Sequence, residues 1–269
     1  MKGLPIFTTL QVVLFVLQSP ECLFAYAGAA REMDLRQILG NETVLQTYAR
    51  EAQVPFEVQD WSKVSFLLKE YATIGHKVRS AMEKRMSDYL PQIAGALKEN
   101  GLPEALQYLP LAESRLFPEI GSPAGAKGIW QIMPATGRKY GLVINRKIDE
   151  REDPEKSTQA AIQLLTALYE EFGDWALVIA AYNCGPSKVR RAILKSNCNN
   201  YWDIDHLLPS QTRTYVPAFI AASCYAGYRN LKAEVYAIPF KTPSYAGIQA
   251  NFWRHPVRSL MATKNIRLV

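Results

Sequence analysis

Cysteine and histidine are scarce, at four and three among 269 residues. Four cysteines cannot staple a disulfide-dependent mini-fold, and a chain of this length buries an adequate core without them. His76, His206 and His255 stand alone. A zinc site built from Cys198, His206 and Cys224 would lack the usual close pair spacing, so neither a metal nor a cofactor is expected. A dense Lys/Arg run is also missing. The balance of 31 basic against 25 acidic residues, +6 overall, favours anionic partners but gives no reason to expect nucleic acid. Low-complexity segments and short internal repeats are absent, and a hydrophobic content of 48% excludes a disordered chain. The length suits one large domain or two small ones.

The one sustained apolar run lies at the start. Lys2 precedes Ile6 to Leu17, too short to span a bilayer comfortably, and Ala25-Tyr26-Ala27-Gly28-Ala29-Ala30 follows with overlapping Ala-x-Ala sites. A positive start, an apolar middle and a small-residue exit describe a secretory signal peptide over residues 1–29. Cys22 is preceded by Ser19-Pro20-Glu21, and the charged Glu21 argues against a lipid anchor there. The expectation is an exported, periplasmic protein with no stable membrane span in the mature chain. Cys184, Cys198 and Cys224 then remain, an odd number compatible with one disulfide and one free thiol in an oxidising compartment.

Beyond the leader, helical patterns dominate. Residues 31–60 read as an extended lead-in or short helices. Leu67, Leu68, Tyr71, Ile74, Val78, Met82 and Met86 recur at helical intervals, predicting a long helix from Ser62 with a weak point at Gly75. A second helix is expected from Tyr89 to Lys98, stopped by Asn100-Gly101. Pro103-Glu104 opens another, bent at Pro110. Asp153-Pro154-Glu155 caps a helix ending at Gly173. Asp174 caps the next, Trp175 to Asn183, which is apolar all round and so central. Gly185-Pro186 breaks that helix before another marked by Val189, Ala192 and Ile193. A last helix runs from near Ser210 to Tyr228, and residues 236–269, with Pro239, Pro243 and Pro256, read as irregular. Nothing before residue 230 alternates like a strand. The fold class expected is all-α, with an irregular C-terminal tail.

Glu113 is the first candidate for chemistry. Its helical neighbours would be Leu109, Pro110, Leu116 and Phe117, all apolar. A carboxyl group there loses hydration and its pKa rises, which suits protonation of a departing glycosidic oxygen. From helix position alone, a glutamate snorkelling to solvent is the more ordinary reading. Four blocks shift that balance: Glu113-Ser114; Gly125-Ala126-Lys127-Gly128-Ile129-Trp130-Gln131-Ile132-Met133-Pro134-Ala135-Thr136-Gly137; Ala181-Tyr182-Asn183-Cys184-Gly185-Pro186; and Thr212-Arg213-Thr214-Tyr215-Val216-Pro217.

Together, over roughly residues 60–230, these blocks resemble the catalytic domain of the lytic murein transglycosylases of glycoside hydrolase family 23, in particular the membrane-bound D type, whose fold is also that of goose-type lysozyme. The resemblance implies a peptidoglycan-cleaving enzyme with glycan strands as its partner. It implies an N-terminal helical extension over residues 30–100, a catalytic domain over 101–230 and a tail over 231–269. It makes Glu113 the single catalytic acid/base, with Gln131 and Met133 lining the sugar site, Tyr182 and Asn183 beside the reacting sugar, and Tyr215 supporting them. Ser122 falls in the loop where relatives place a serine near substrate. Amides and aromatic faces suit acetamido sugars, although Trp130 reads better as an ordinary core residue. Asp149, Glu150, Glu152 and Asp153 lie outside the matching blocks and read as solvated capping and surface charges. Arg115-Leu116, where the family often has Gly-Phe, could alter the rim of the site. The alternatives in view are a hydrolytic muramidase of the same fold and a non-catalytic peptidoglycan-binding protein.

Overall fold

The computed structural model describes residues 35–237. The expected signal peptide, Cys22 and the segment after Ala237 lie outside them. The described chain is all-helical, as the periodicity predicts, and contains only isolated β-bridges. Its helices are α1 (Leu35–Ile38), α2 (Glu42–Glu51), α3 (Trp61–Thr73), α4 (His76–Glu99), α5 (Leu109–Ser114), α6 (Pro134–Lys139), α7 (Pro154–Phe172), α8 (Trp175–Cys184), α9 (Pro186–Ser196), α10 (Tyr201–Ile204) and α11 (Ser210–Ala237). Single 3-10 turns precede α5, α7 and α11.

Local capping chemistry explains most of the boundaries. Asn41, Asp60, Asp153 and Asp174 each place a side-chain oxygen on a backbone N–H of the first turn of α2, α3, α7 and α8. Gly173, at φ 64°, ends α7 in the left-handed conformation that glycine adopts without strain.

Four expectations need correction. The long helix predicted from Ser62 is two helices, α3 and α4, because Ile74 and Gly75 are extended. Arg79 Nη2 donates to the carbonyls of Ala72 and Ile74 at 3.1 and 3.0 Å, replacing the partners those groups lose where α3 stops. The separate helix expected from Tyr89 is instead the second half of α4, which passes through Pro91. Pro91 is exposed, so water can reach the carbonyl that its ring leaves unpaired. Near Pro110 the helix does not bend; it changes type. A 3-10 turn over Glu104–Tyr108 gives way to α5, with Pro110 in the first turn, where no N–H is required. The last helix also continues past Tyr228 to Ala237.

The core forms around α8 and α11. Residues Ala176 to Ala181 of α8 are all buried, as its uniformly apolar sequence requires. Val216, Phe219, Ile220 and Tyr225 bury the facing side of α11. The early helices join this core rather than standing apart: Leu45, Tyr48, Val64 and Leu68 are buried within it. Tyr71 of α3 stacks on Tyr225 with ring centroids 4.8 Å apart. Gly227 lets α11 pass close to α2, since a Cβ there would lie 2.4 Å from the Tyr48 carbonyl oxygen. Gly227→Ala should therefore destabilise the protein by about 2 kcal/mol through backbone overpacking. Gly95→Ala, in open space within α4, should stabilise it by about 0.5–1 kcal/mol. Thermal unfolding of the two variants should show melting shifts of opposite sign.

Candidate active site

Glu113 is the penultimate residue of α5, and the helix ends in an unusual way. Arg115 and Leu116, neither of them glycine, both adopt left-handed backbone, at φ 51° and 59°. Each costs roughly 1–2 kcal/mol. Leu116 is fully buried, which returns about 1.5–3 kcal/mol, and Arg85 Nε donates to the Arg115 carbonyl at 3.0 Å. Leu116 and Phe117 are therefore not on the helix, as the i+3 and i+4 spacing had implied, and Phe117 is exposed.

The surroundings of the carboxyl come instead from distant helices. Tyr215 Oη, on α11 and 102 residues away in sequence, donates to Glu113 Oε1. Tyr182, at the end of α8, lies within electrostatic reach of Glu113. Burial pushes the Glu113 carboxyl from the usual 4.5 up to about 7, against a smaller opposing effect of the Tyr215 hydrogen bond. Among the described residues, no carboxylate contributes to the shift. Burial also drives the Tyr182 and Tyr215 phenols well above their ordinary range, so both remain protonated donors at neutral pH.

The loop between α5 and α6 carries Ser122, Gln131 and Met133, while Asn183 follows Tyr182 on α8. Ser114 Oγ, buried at the end of α5, donates to the Ile129 carbonyl at 2.8 Å and so joins Glu113's helix to that loop. Tyr182 Oη donates to the Trp130 carbonyl at 2.6 Å. Trp130 is fully buried, its Nε1 held by Thr158 Oγ1 at 2.9 Å; it is core, as expected. Gln131, at φ 48°, donates its Nε2 to the carbonyls of Gly128 and Ile120 at 2.8 and 3.1 Å. Its amide nitrogen is engaged with backbone, and its oxygen remains the group available to a ligand. Asn183 is the complement: Oδ1 accepts from Thr212 Oγ1 at 2.9 Å, leaving its N–H groups. The sequence had suggested a donor and an acceptor from each amide; the hydrogen bonds divide the two roles between them. Met133 is exposed at the start of α6. Ser122 Oγ accepts from Ala126 N at 3.0 Å and closes a turn; it makes no hydrogen bond to Glu113.

Sequence reasoning missed Arg151. It is 5% exposed, and its Nη1 bonds the carbonyls of Gly125 and Ile132 at 2.7 and 2.9 Å. Its Nε and Nη2 pair with Asp149 at 2.8 and 2.7 Å. Gly128 packs so closely that a Cβ would lie 1.7 Å from the Arg151 carbonyl oxygen. Asp149 is thus not a solvated surface charge; the buried guanidinium holds its carboxyl below the usual range. The only signal in the sequence is an arginine set among acids, which usually marks an exposed cluster. Cys184, Cys198 and Cys224 are all free thiols, Cys224 being buried. No disulfide forms among the described residues.

A helical domain bearing one proton-retaining carboxyl, a phenol bonded to it and a second phenol that clamps an amide-bearing loop is the class of site these features define. Residues 91–204 match the family model described as "Transglycosylase SLT domain". Membrane-bound lytic murein transglycosylase D of Escherichia coli strain K12 is 41% identical over 144 residues, 52% of this chain and 31% of that protein. The soluble lytic murein transglycosylase of the same strain is 30% identical over 123 residues, 43% of this chain and 19% of that protein. The chain therefore spans less than a third of the length of either relative. Among solved structures, the 70 kDa soluble lytic transglycosylase of Escherichia coli gives a TM-score of 0.48 at 22% identity, covering 82% of this chain and 34% of that one. Tyr215 lies beyond the segment matched by the family.

Stability should record the buried carboxyl. Between about pH 4.5 and 7 the unfolded chain ionises Glu113 while the folded protein keeps its proton, so this residue's contribution to stability falls as pH rises. Below that window both states are protonated and the effect vanishes. Glu113→Gln should accordingly raise the melting temperature relative to the parent at pH 8 and lose that advantage at pH 4.

Proposed function

We propose that this protein is a peptidoglycan lytic transglycosylase that cleaves the β-1,4 bond between N-acetylmuramic acid and N-acetylglucosamine without consuming water. The observation that carries the reading is Glu113, a lone carboxyl holding its proton to about pH 7 beside Tyr215 and Tyr182. Ordinary glycosidases need two carboxylates flanking the scissile bond, and among the described residues no carboxylate hydrogen-bonds to Glu113 or shifts its pKa. A route requiring one carboxyl fits. The match of residues 91–204 to the transglycosylase domain model supports it, and so does the similarity to murein transglycosylases.

In this mechanism protonated Glu113 donates to the glycosidic oxygen as the bond to muramyl C1 breaks. The substrate's own acetamido group stabilises the cationic centre. Glu113, now a carboxylate, takes the proton of the muramyl C6 hydroxyl, whose oxygen closes onto C1. The product is a 1,6-anhydromuramyl end, and Glu113 is reprotonated for the next turnover. The nucleophile is tethered to the reacting carbon, so proximity supplies what a second carboxylate would otherwise provide. Tyr215 holds the carboxyl in place and stabilises its ionised form. Tyr182 fixes the loop at Trp130. The Gln131 oxygen and the Asn183 amide offer an acceptor and a donor to an acetamido sugar, and Met133 and Ser122 flank the sugar path.

The domain assignment follows: residues 101–230 carry the chemistry and residues 30–100 extend it. The protein acts in the cell envelope, in the periplasm, after loss of residues 1–29.

Mass spectrometry of digested cell-wall sacculi tests the reading. Anhydro ends, lighter than reducing ends by one water, are expected; reducing muramic acid ends would make the protein a muramidase, and no cleavage would make it a binding protein. Glu113→Gln should lower the rate by about 10²–10⁴-fold. The parent's rate should fall as pH rises through about 7.

A further inference from the structure

The corner between α7 and α8 holds a second place where a sugar could be bound. Across the Gly173 turn Tyr169 lies flat on Trp175, with ring centroids 4.2 Å apart and planes inclined by 18°. Tyr169 is 40% exposed. The pair forms one wall of a depression of about 480 Å³, completed by Asn100, Leu102, Pro103 and Thr166. That volume lies within the range of small-ligand sites. The corner is remote from the catalytic face. Trp175 begins α8 and Tyr182 stands near its other end, about 10 Å further along the helix axis at 1.5 Å per residue.

The unspent polar groups indicate what fits. Asn100 Nδ2 donates to the Ala96 carbonyl at 2.8 Å, leaving its side-chain oxygen open. Thr166 Oγ1 donates to the Ile162 carbonyl at 2.9 Å, leaving its lone pairs open. An aromatic wall flanked by two acceptors calls for a ligand with an apolar face and hydroxyl donors around its edge, which describes a pyranose ring. None of the lining side chains is charged, and of the charges flanking them in sequence Lys98 and Glu104 are paired with each other at 3.3 Å. A purely apolar ligand would leave both acceptors without donors, at a cost.

We propose that this corner is a second, non-catalytic saccharide site that holds an uncharged stretch of glycan strand at a distance from Glu113. The identity of the polymer rests on the function proposed above; the chemistry of the corner requires only a neutral sugar chain.

Co-sedimentation with insoluble sacculi, using Glu113→Gln as the parent so that the polymer stays intact, provides the test. Adding Tyr169→Ala should weaken binding by about five- to tenfold, on the scale of one lost aromatic contact. Tyr169→Phe should bind as the parent does. Thr166→Val should weaken binding independently, and it decides the matter if Tyr169→Ala fails to fold. With Glu113 intact, Tyr169→Ala should cut short soluble glycan fragments within about twofold of the wild-type rate, since remote binding energy does not reach the bond being broken. A β-1,4 oligomer of N-acetylglucosamine, which carries neither peptide nor lactyl carboxylate, should show the same dependence on Tyr169. Undiminished binding by both Tyr169→Ala and Thr166→Val would overturn the proposal, as would a neutral N-acetylglucosamine oligomer whose binding showed no dependence on Tyr169. Tyr169-dependent binding without anhydro products would leave this site standing and refute the catalytic assignment instead.

Discussion

The site depends on keeping one carboxylic acid out of water without burying it beyond reach. Loss of hydration raises the Glu113 pKa to about 7, and the Tyr215 hydroxyl supplies a hydrogen bond that opposes the rise. Either influence alone would give a poorer proton donor. Full burial with no donor would leave a carboxyl that never ionises, and full solvation would leave one with no proton to give near neutral pH. The balance is set by a short helix, α5, and by a tyrosine on α11.

That constraint explains why the end of α5 is built as it is. A helix continuing past Ser114 would carry Leu116 and Phe117 on beside Glu113. Two left-handed residues turn the chain away, at a cost offset by burying Leu116. Ser114 and Tyr182 then tie the following loop to α5 and α8, while Arg151 fixes it from beneath through two carbonyls. The loop also bonds to itself: Lys127 and Ile132 exchange backbone hydrogen bonds at 3.2 and 3.1 Å, and Gly128 N donates to the Ile120 carbonyl at 3.1 Å. Side chains around it anchor that framework, so a change at Arg151 or Gly128 would be felt at Gln131.

What the amino-acid sequence discloses divides along the range of the interactions involved. The caps at Asp153 and Asp174 and the stop at Gly173 were legible because each is made by a residue acting on the next few. The centrality of α8 was legible because a helix apolar all round has nowhere else to go. The raised pKa of Glu113 was expected, but for a partly mistaken reason, since helical spacing cannot foresee two non-glycine residues entering left-handed backbone. Tyr215 came through resemblance to a family and not through any local pattern, as a contact across 102 residues must. Arg151 was hidden because charge in the sequence does not say whether it is solvated. The division of hydrogen-bonding roles between Gln131 and Asn183 likewise depends on which backbone groups the fold brings to them.

The central claim is that Glu113 is a proton-retaining acid near neutral pH, made so by burial. Direct titration of its carboxyl by NMR, with isotope-labelled glutamate and the Glu113→Gln variant to assign the resonance, measures this without substrate. The account predicts a midpoint at about 7, moving higher in Tyr215→Phe, where the charged form loses its donor. A midpoint near the ordinary 4.5 would contradict it.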